Sequence, residues 1–373
     1  MHTMIRPKVR RSAAVAAAAL VLALVVGCSS AGPGGASSGS SGGKVTLRVL
    51  FAGSLIIPFA TLEKEFEAAH PDIDVNMEGH GSIQAIRTVS DVHEQADVVV
   101  SADYRLIPML MYHTNPPGSD RPYADASVLF STNKMALAYS ADSVGAGQIY
   151  SRNWYDIINQ PGVRLGISDP RMDANGYRAL MVVQLAQSYY HRDGLFEQTF
   201  GDVFREPLLV SRSSGNSAII VPEILETKTG SHVLLRPYST NLLPLISSGD
   251  VDYAFEYESV IRQHGLKYVE LPPGLNLGDA APAADYSHVS VKLDYQRFGS
   301  VKPEFTGEPI QYAATIPSDA PNPSQAAELL AFLLGPEGRR IMKDNYQPMF
   351  TPARTDNLAG LPPVLKQLCV PVK

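Results

Sequence analysis

An open α/β sheet is the fold class this sequence predicts, and two observations carry the prediction. Three times between residues 45 and 111, an apolar run of strand length gives way to apolar residues at helical spacing. The third strand, Asp97-Val98-Val99-Val100-Ser101, is apolar through its centre, as in a parallel sheet covered on both faces.

In chain order, residues 45–50 alternate as a strand and run into Ala52-Gly53-Ser54-Leu55. Leu55, Phe59, Leu62, Phe66 and Ala69 then recur at helical spacing, with Pro58 confined to the first turn and Ser54 placed as an N-cap. Pro71-Asp72 turns the chain into a second strand at 73–77. A helical pattern of Ile83, Ile86 and Val89 follows, and Ser82 repeats the arrangement at Ser54. A short helix is expected at 104–111, a loop at 115–122, a strand at 134–139 and a helix at 153–158. Residues 163–167 form a strand that enters the turn 166–178, rich in Asp, Asn, Pro and Gly, and a helix follows from about Tyr177. Beyond it the patterns predict a strand at 208–211, helices at 218–226 and 241–247, and a strand at 251–257 whose odd positions are apolar or aromatic. Glu256 lies on that strand's other face. Residues 271–278 are a turn-rich loop, 310–316 a strand, and helices at 324–334 and 337–343 close the chain.

The first 43 residues stand outside this fold. Arg6, Lys8, Arg10 and Arg11 precede an apolar run over 13–26, too short for a typical transmembrane helix, and Gly27 precedes Cys28. The segment 1–27 resembles a bacterial lipoprotein signal peptide, which implies Cys28 as a lipidated first residue of the mature chain. Residues 28–43 then form a Gly/Ser-rich tether with a reach on the order of 20 Å. The expected location is extracytoplasmic, anchored to the cell membrane by lipid rather than by insertion. The roughly 330 residues that follow suffice for two domains. A net charge of −6 and the lack of a basic stripe argue against nucleic acid as a partner. With only Cys28 and Cys369 present, neither a cysteine metal cluster nor an internal disulfide of the mature fold is available.

Ligands of open α/β sheets bind beyond the C-terminal ends of strands. Ser54, Ser82, Asp173 and Glu256 all fall at such ends. Read locally, Asp173 either caps its helix or touches something bound at the helix N-terminus, and Glu256 is either a solvated or paired acid or part of a site. No nucleophile elbow, phosphate-cradling Gly-Lys-Ser/Thr loop or His-Glu-x-x-His helix occurs. Asp173 and Glu256 could serve a surface enzyme acting on glycans as an acid/base pair, but no aromatic cluster is evident in the sequence around them. A purely structural lipoprotein is a third reading.

Family resemblance weighs against these alternatives. Ala52-Gly53-Ser54-Leu55, Gly81-Ser82 with Ile86-Arg87, Asp97-Val98 with Ser101-Ala102-Asp103-Tyr104, and Asn153-Trp154 are similar to the tungstate/molybdate-binding proteins of ABC importers. Asp173 with Gly176-Tyr177-Arg178, Asp252 to Tyr257 with Ser259, Leu271-Pro272 with Asn276-Leu277-Gly278, and Ile310 with Tyr312 and Thr315-Ile316-Pro317 continue the resemblance over nearly all of 45–350. It implies a two-lobed, type II periplasmic-binding-protein fold with two crossings, near 131–135 and 310–314. Lobe one would be 44–132 plus 312–373, and lobe two 133–311. It also implies a monomer that captures tungstate or molybdate, or in a second reading another small anion or solute, for a membrane permease. No cofactor beyond the transported anion is expected. Gly53, Ser54 and Ser82 would hold the oxyanion from lobe one, and Asp173, Ala174, Asn175 and Glu256 from lobe two, with a backbone contact from Gly274.

Two acids beside a dianion are repulsive. The resemblance resolves this by making Asp173 and Glu256 ligands of the molybdenum or tungsten centre itself, a bond that sulfur or phosphorus does not readily accept. One departure is Ala174, where the family commonly has proline after the aspartate.

Overall fold

The computed structural model describes residues 43–278, 283–294 and 303–372, so the expected leader, Cys28 and nearly all of the tether lie outside the described residues. Sixteen strands are described: β1 (Val45–Ala52), β2 (Ile73–His80), β3 (Val98–Ser101), β4 (Val128–Thr132), β5 (Met135–Tyr139), β6 (Leu165–Ser168), β7 (Leu209–Ser213) and β8 (Asn216–Val221). The remainder are β9 (Val233–Arg236), β10 (Tyr253–Tyr257), β11 (Lys267–Glu270), β12 (Val289–Leu293), β13 (Glu304–Thr306), β14 (Gln311–Thr315), β15 (Met349–Thr355) and β16 (Cys369–Pro371).

Two lobes result, each built on a mixed sheet, in the α/β class expected. One carries a seven-stranded sheet in the order β16-β15-β4-β14-β3-β1-β2 and the other a five-stranded sheet in the order β11-β5-β10-β6-β9. Strands β2, β1 and β3 run parallel, as do β10, β6 and β9, whereas β14, β4 and β5 pair antiparallel to their neighbours. The chain leaves the larger sheet through Asn133 and Lys134 and returns just before β14. The two connections lie side by side, with Gln311 paired to Thr132 and the Thr132 hydroxyl donating to the Ile310 carbonyl at 2.8 Å.

The helix Ala174–Tyr189 is buried on every side from Ala174 to Ala186, which is why its apolar stripe is so wide. It packs between β6 and β10 on one side and β12 on the other. Strand β12 belongs to a third, four-stranded sheet, β13-β12-β8-β7.

That third sheet overturns one expectation. Residues 216–221 form a strand, not the start of a helix over 218–226, because Ser214 and Gly215 both adopt positive φ (50° and 81°) and fold β7 and β8 into a tight hairpin. The C-terminal helices, observed at Pro323–Leu334 and Pro336–Asp344, do not close the chain either. β15 and β16 follow them and extend the seven-stranded sheet, with Pro371 on the edge strand β16 and Pro352 in the irregular pairing between Met349 and Arg354, both places where proline is tolerated.

Candidate functional site

Six chain segments meet where strands end. β1, β2 and β3 of the larger sheet deliver Gly53 and Ser54, Gly81 and Ser82, and Ala102 and Asp103. β6, β9 and β10 of the smaller one deliver Asp173 to Asn175, Ser239 and Thr240, and Glu256. The lobes touch here. A Cβ added at Gly53 would stand 3.6 Å from the Thr240 hydroxyl, and one at Gly81 only 2.3 Å from the Met172 carbonyl oxygen.

Asp173 is the N-cap of its helix, in extended conformation, and its Oδ1 accepts from the Asn175 N–H at 3.2 Å. Its Oδ2 accepts from the Ser239 N–H at 2.9 Å. Only 7% exposed, its carboxyl is pushed above the usual range by burial, against the pull of those two N–H groups, the Ser168 hydroxyl and Arg178. Ala174, where a proline was expected from the family pattern, is buried in the first turn and leaves that cap intact.

Glu256 is deeper still, at 1% exposure. Strand alternation aims Ala254 at Leu242 and Ile246, and puts Glu256 on the same face one step further, at the mouth. Its Oε1 accepts from the Tyr257 N–H (2.7 Å) and the Asn175 amide (3.3 Å). Oε2 has no hydrogen bond of ordinary geometry, and neither has Asn175 Oδ1. Burial pushes Glu256 up to about 8. The Tyr257 N–H and the nearby Ser239 hydroxyl oppose that rise, and Asp173 adds to it.

The serines differ from expectation in their local role. Ser54 lies inside a 3-10 turn, Gly53–Leu55, and caps nothing with its side chain; its hydroxyl shares a 2.9 Å hydrogen bond with Tyr312. Ser82 is the first residue of its helix, Gly81 holding the cap position, and its hydroxyl accepts from the Ala102 N–H at 3.0 Å. Both are buried at the interlobe contact.

Gly274 is a correction. It faces the ring of Tyr189, the last residue of the helix that begins beside Asp173. At about 1.5 Å per residue the helix carries Tyr189 more than about 20 Å from Asp173. The turn 271–278 instead returns to the interlobe connections, where the Asn276 and Leu277 carbonyls accept from the Met135 and Ile310 N–H groups at 2.7 and 2.8 Å.

Four residues at the interlobe contact had no role assigned from sequence. Tyr177 donates to Asp103 Oδ2 at 2.5 Å, and Arg178 donates to the Ala102 carbonyl (2.8 Å) and to the Tyr257 hydroxyl (2.7 Å), with its Nη2 3.4 Å from Asp103. All four of Asp103, Tyr177, Arg178 and Tyr257 are buried, so the contacts of Tyr177 and Arg178 with Ala102 and Asp103 cross between the lobes in a low dielectric. The one charged residue of a helix otherwise uncharged was the available signal. A second network joins Ser54 to the connections: Asn133 Nδ2 reaches Tyr312, Ser259 and Gln347 within 3.2 Å.

The fit at Gly81 makes a prediction. Its φ is −66°, so glycine is needed for space rather than for backbone freedom. Gly81→Ala is expected to hold the lobes apart and weaken ligand binding by about tenfold, the cost of a modest overpacking. Small-angle scattering should show a larger radius of gyration with ligand than the wild type has, and an unchanged radius with unchanged affinity would refute the close contact.

Chemically, the site offers two buried carboxylates, an amide, hydroxyls and helix N-termini, with Arg178 behind them. Residues 47–346 match the family model described as bacterial extracellular solute-binding protein. The molybdate/tungstate-binding protein WtpA of Thermococcus kodakarensis is 37% identical over 320 residues, 83% of each chain. WtpA of Pyrococcus abyssi is 36% identical over 329 residues, covering 85% of this chain and 89% of its own. Among solved structures, the periplasmic molybdate-binding protein of Azotobacter vinelandii superposes with a TM-score of 0.51 at 16% identity, over 81% of this chain and 98% of that one, a likeness of fold.

Proposed function

The chain belongs to the bacterial extracellular solute-binding proteins, transport receptors rather than enzymes, and from that premise we propose that it captures tungstate or molybdate between its lobes and presents it to an ABC permease. The observation that carries this reading is the pair Asp173 and Glu256. Both are buried at one interlobe contact, and one oxygen of Glu256 is left without a hydrogen bond. Once ionised, such a pair repels an ordinary anion but can bond to a hard metal centre that expands its coordination. Ser54, Ser82, Gly53 and the helix N-termini at Ser82 and Ala174 supply donors for the oxo groups. The identity to WtpA proteins supports the same ligand class. Anchoring through a lipidated Cys28 belongs to this proposal, as does a monomeric receptor.

Calorimetry with tungstate, molybdate, sulfate and phosphate tests it. The expected result is saturable binding of the first two and at least about a hundredfold weaker binding of sulfate and phosphate. Comparable sulfate affinity would remove the case for carboxylate ligation, and no binding of any of the four would end the oxyanion reading.

A further inference from the structure

A second concave site lies on the lobe that holds the smaller sheet, some 20 Å along the helix from Asp173. It is a cavity of about 840 Å³ into which Tyr150, Tyr155, Tyr189, Tyr190 and Tyr268 converge, five of the chain's 17 tyrosines. The sequence scatters them over more than a hundred positions. The fold gathers them from the helix Trp154–Ile157 and the segment before it, the C-terminal end of the helix Ala174–Tyr189, and the edge strand β11. The Pro272-Pro273 turn forms one wall.

Tyr155 is part of the core, but two of the rings stand clear of it. Tyr150 and Tyr189 are 56% and 49% exposed. Tyr155 and Tyr190 pack at 4.4 Å between centroids, and Tyr189 stands edge-on to Tyr190 at 4.9 Å, which makes a rigid stepped platform. Among the described residues no hydrogen bond engages the hydroxyls of Tyr150, Tyr155, Tyr189 or Tyr268, and no ion pair engages Arg152 or Glu270 on the rim.

The chemistry of that lining selects among ligands. One arginine and one carboxylate on the rim give neither the charge of an anion site nor the acid-floored cage that holds an organic cation. Open hydroxyls and two charged groups of opposite sign suit a neutral ligand with many hydroxyls. Ring faces suit the C–H faces of a pyranose. The volume lies within the range of small-ligand sites. We infer that this tyrosine-lined cavity is an oligosaccharide-binding site, by which the extracellular receptor holds to surface glycan independently of its transported solute.

The chain's single tryptophan provides the readout. Trp154 donates its indole N–H to the Tyr190 hydroxyl at 3.4 Å, so a ligand stacked on Tyr190 is felt at that indole. The full chain is titrated with chitotetraose, cellotetraose and maltotetraose, following tryptophan emission, with decaproline as a peptide probe. The expected result is a saturable change with at least one oligosaccharide below about 10 mM, weakened about tenfold in Tyr189→Ala and in Tyr150→Ala. Both side chains are half exposed, and a thermal unfolding midpoint unchanged from the wild type serves as the check on folding. No response to any sugar, a response unchanged in both variants, or a response to decaproline alone would overturn the assignment.

Discussion

Replacing Glu256 by glutamine is expected to lower tungstate affinity by about a thousandfold, roughly 4 kcal/mol, while making the empty protein more stable. The two effects have opposite signs because they draw on different properties of one carboxyl. Binding, as proposed, uses Glu256 as a charged oxygen ligand, and the amide is a far poorer one. Folding instead buries Glu256 among Asn175, Tyr257 and Asp173 without a cation in contact. Its pKa rises from 4.5 to about 8. Below about pH 4.5 the group is neutral in both the folded and the unfolded chain and costs nothing. As pH climbs toward 8 the unfolded chain ionises while the folded one resists, and stability is lost. At pH 7 the loss is on the order of 3 kcal/mol. Thermal unfolding of the ligand-free protein between pH 5 and 8 should therefore fall with pH more steeply in the wild type than in Glu256→Gln. Equal slopes would deny the raised pKa, and retained tungstate affinity would return Glu256 to a structural role.

The second large effect is expected at Arg178. Arg178→Met strips Asp103 of its buried cation and leaves the Ala102 carbonyl and the Tyr257 hydroxyl without their donor. Breaking one side of a buried pair typically costs about 3–5 kcal/mol. Because Asp103 sits on one lobe and Arg178 on the other, part of that cost falls on closure. The variant should melt several degrees lower, and its ligand-bound form should scatter as a more open molecule. Adding Asp103→Asn removes the stranded charge and should recover more than half of the lost stability. A single variant with wild-type melting and dimensions would show that the cluster does not hold the lobes together.

Much of this architecture was legible in residue order. The segments ending at Ser54, Ser82, Asp173 and Glu256 could be placed because a strand's alternation, a short Gly/Ser/Asp turn and a helical repeat leave distinct marks. They meet as one site because parallel strands carry their C-terminal ends to the same side. The run Ala218-Ile219-Ile220-Val221 carried no such mark. Four apolar residues fit a helix or a strand equally, and the turn that decides the matter depends on Ser214 in a conformation few serines adopt. Gly274 was misplaced because a turn-rich loop states its local geometry and not its destination. The Asp103–Arg178 pair was out of reach for a simpler reason: partners 75 positions apart have no periodicity to betray them. The tyrosine cavity was hidden in the same way.

The order of the seven-stranded sheet sets a schedule for biogenesis. β14 lies between β3 and β4, yet its residues are made about 180 positions after those of β4. A chain emerging from its N-terminus can pair β1 with β2 and β3, and must then leave the facing edge of β3 bare until residues 311–315 appear. Meanwhile the residues that form the smaller sheet, 135–270, are already complete and able to fold first. The half-built sheet thus exposes the hydrogen-bonding edge of the apolar strand Val98–Ser101, a template for pairing with other chains. During export, that strand is where aggregation should begin and where a chaperone has most to protect.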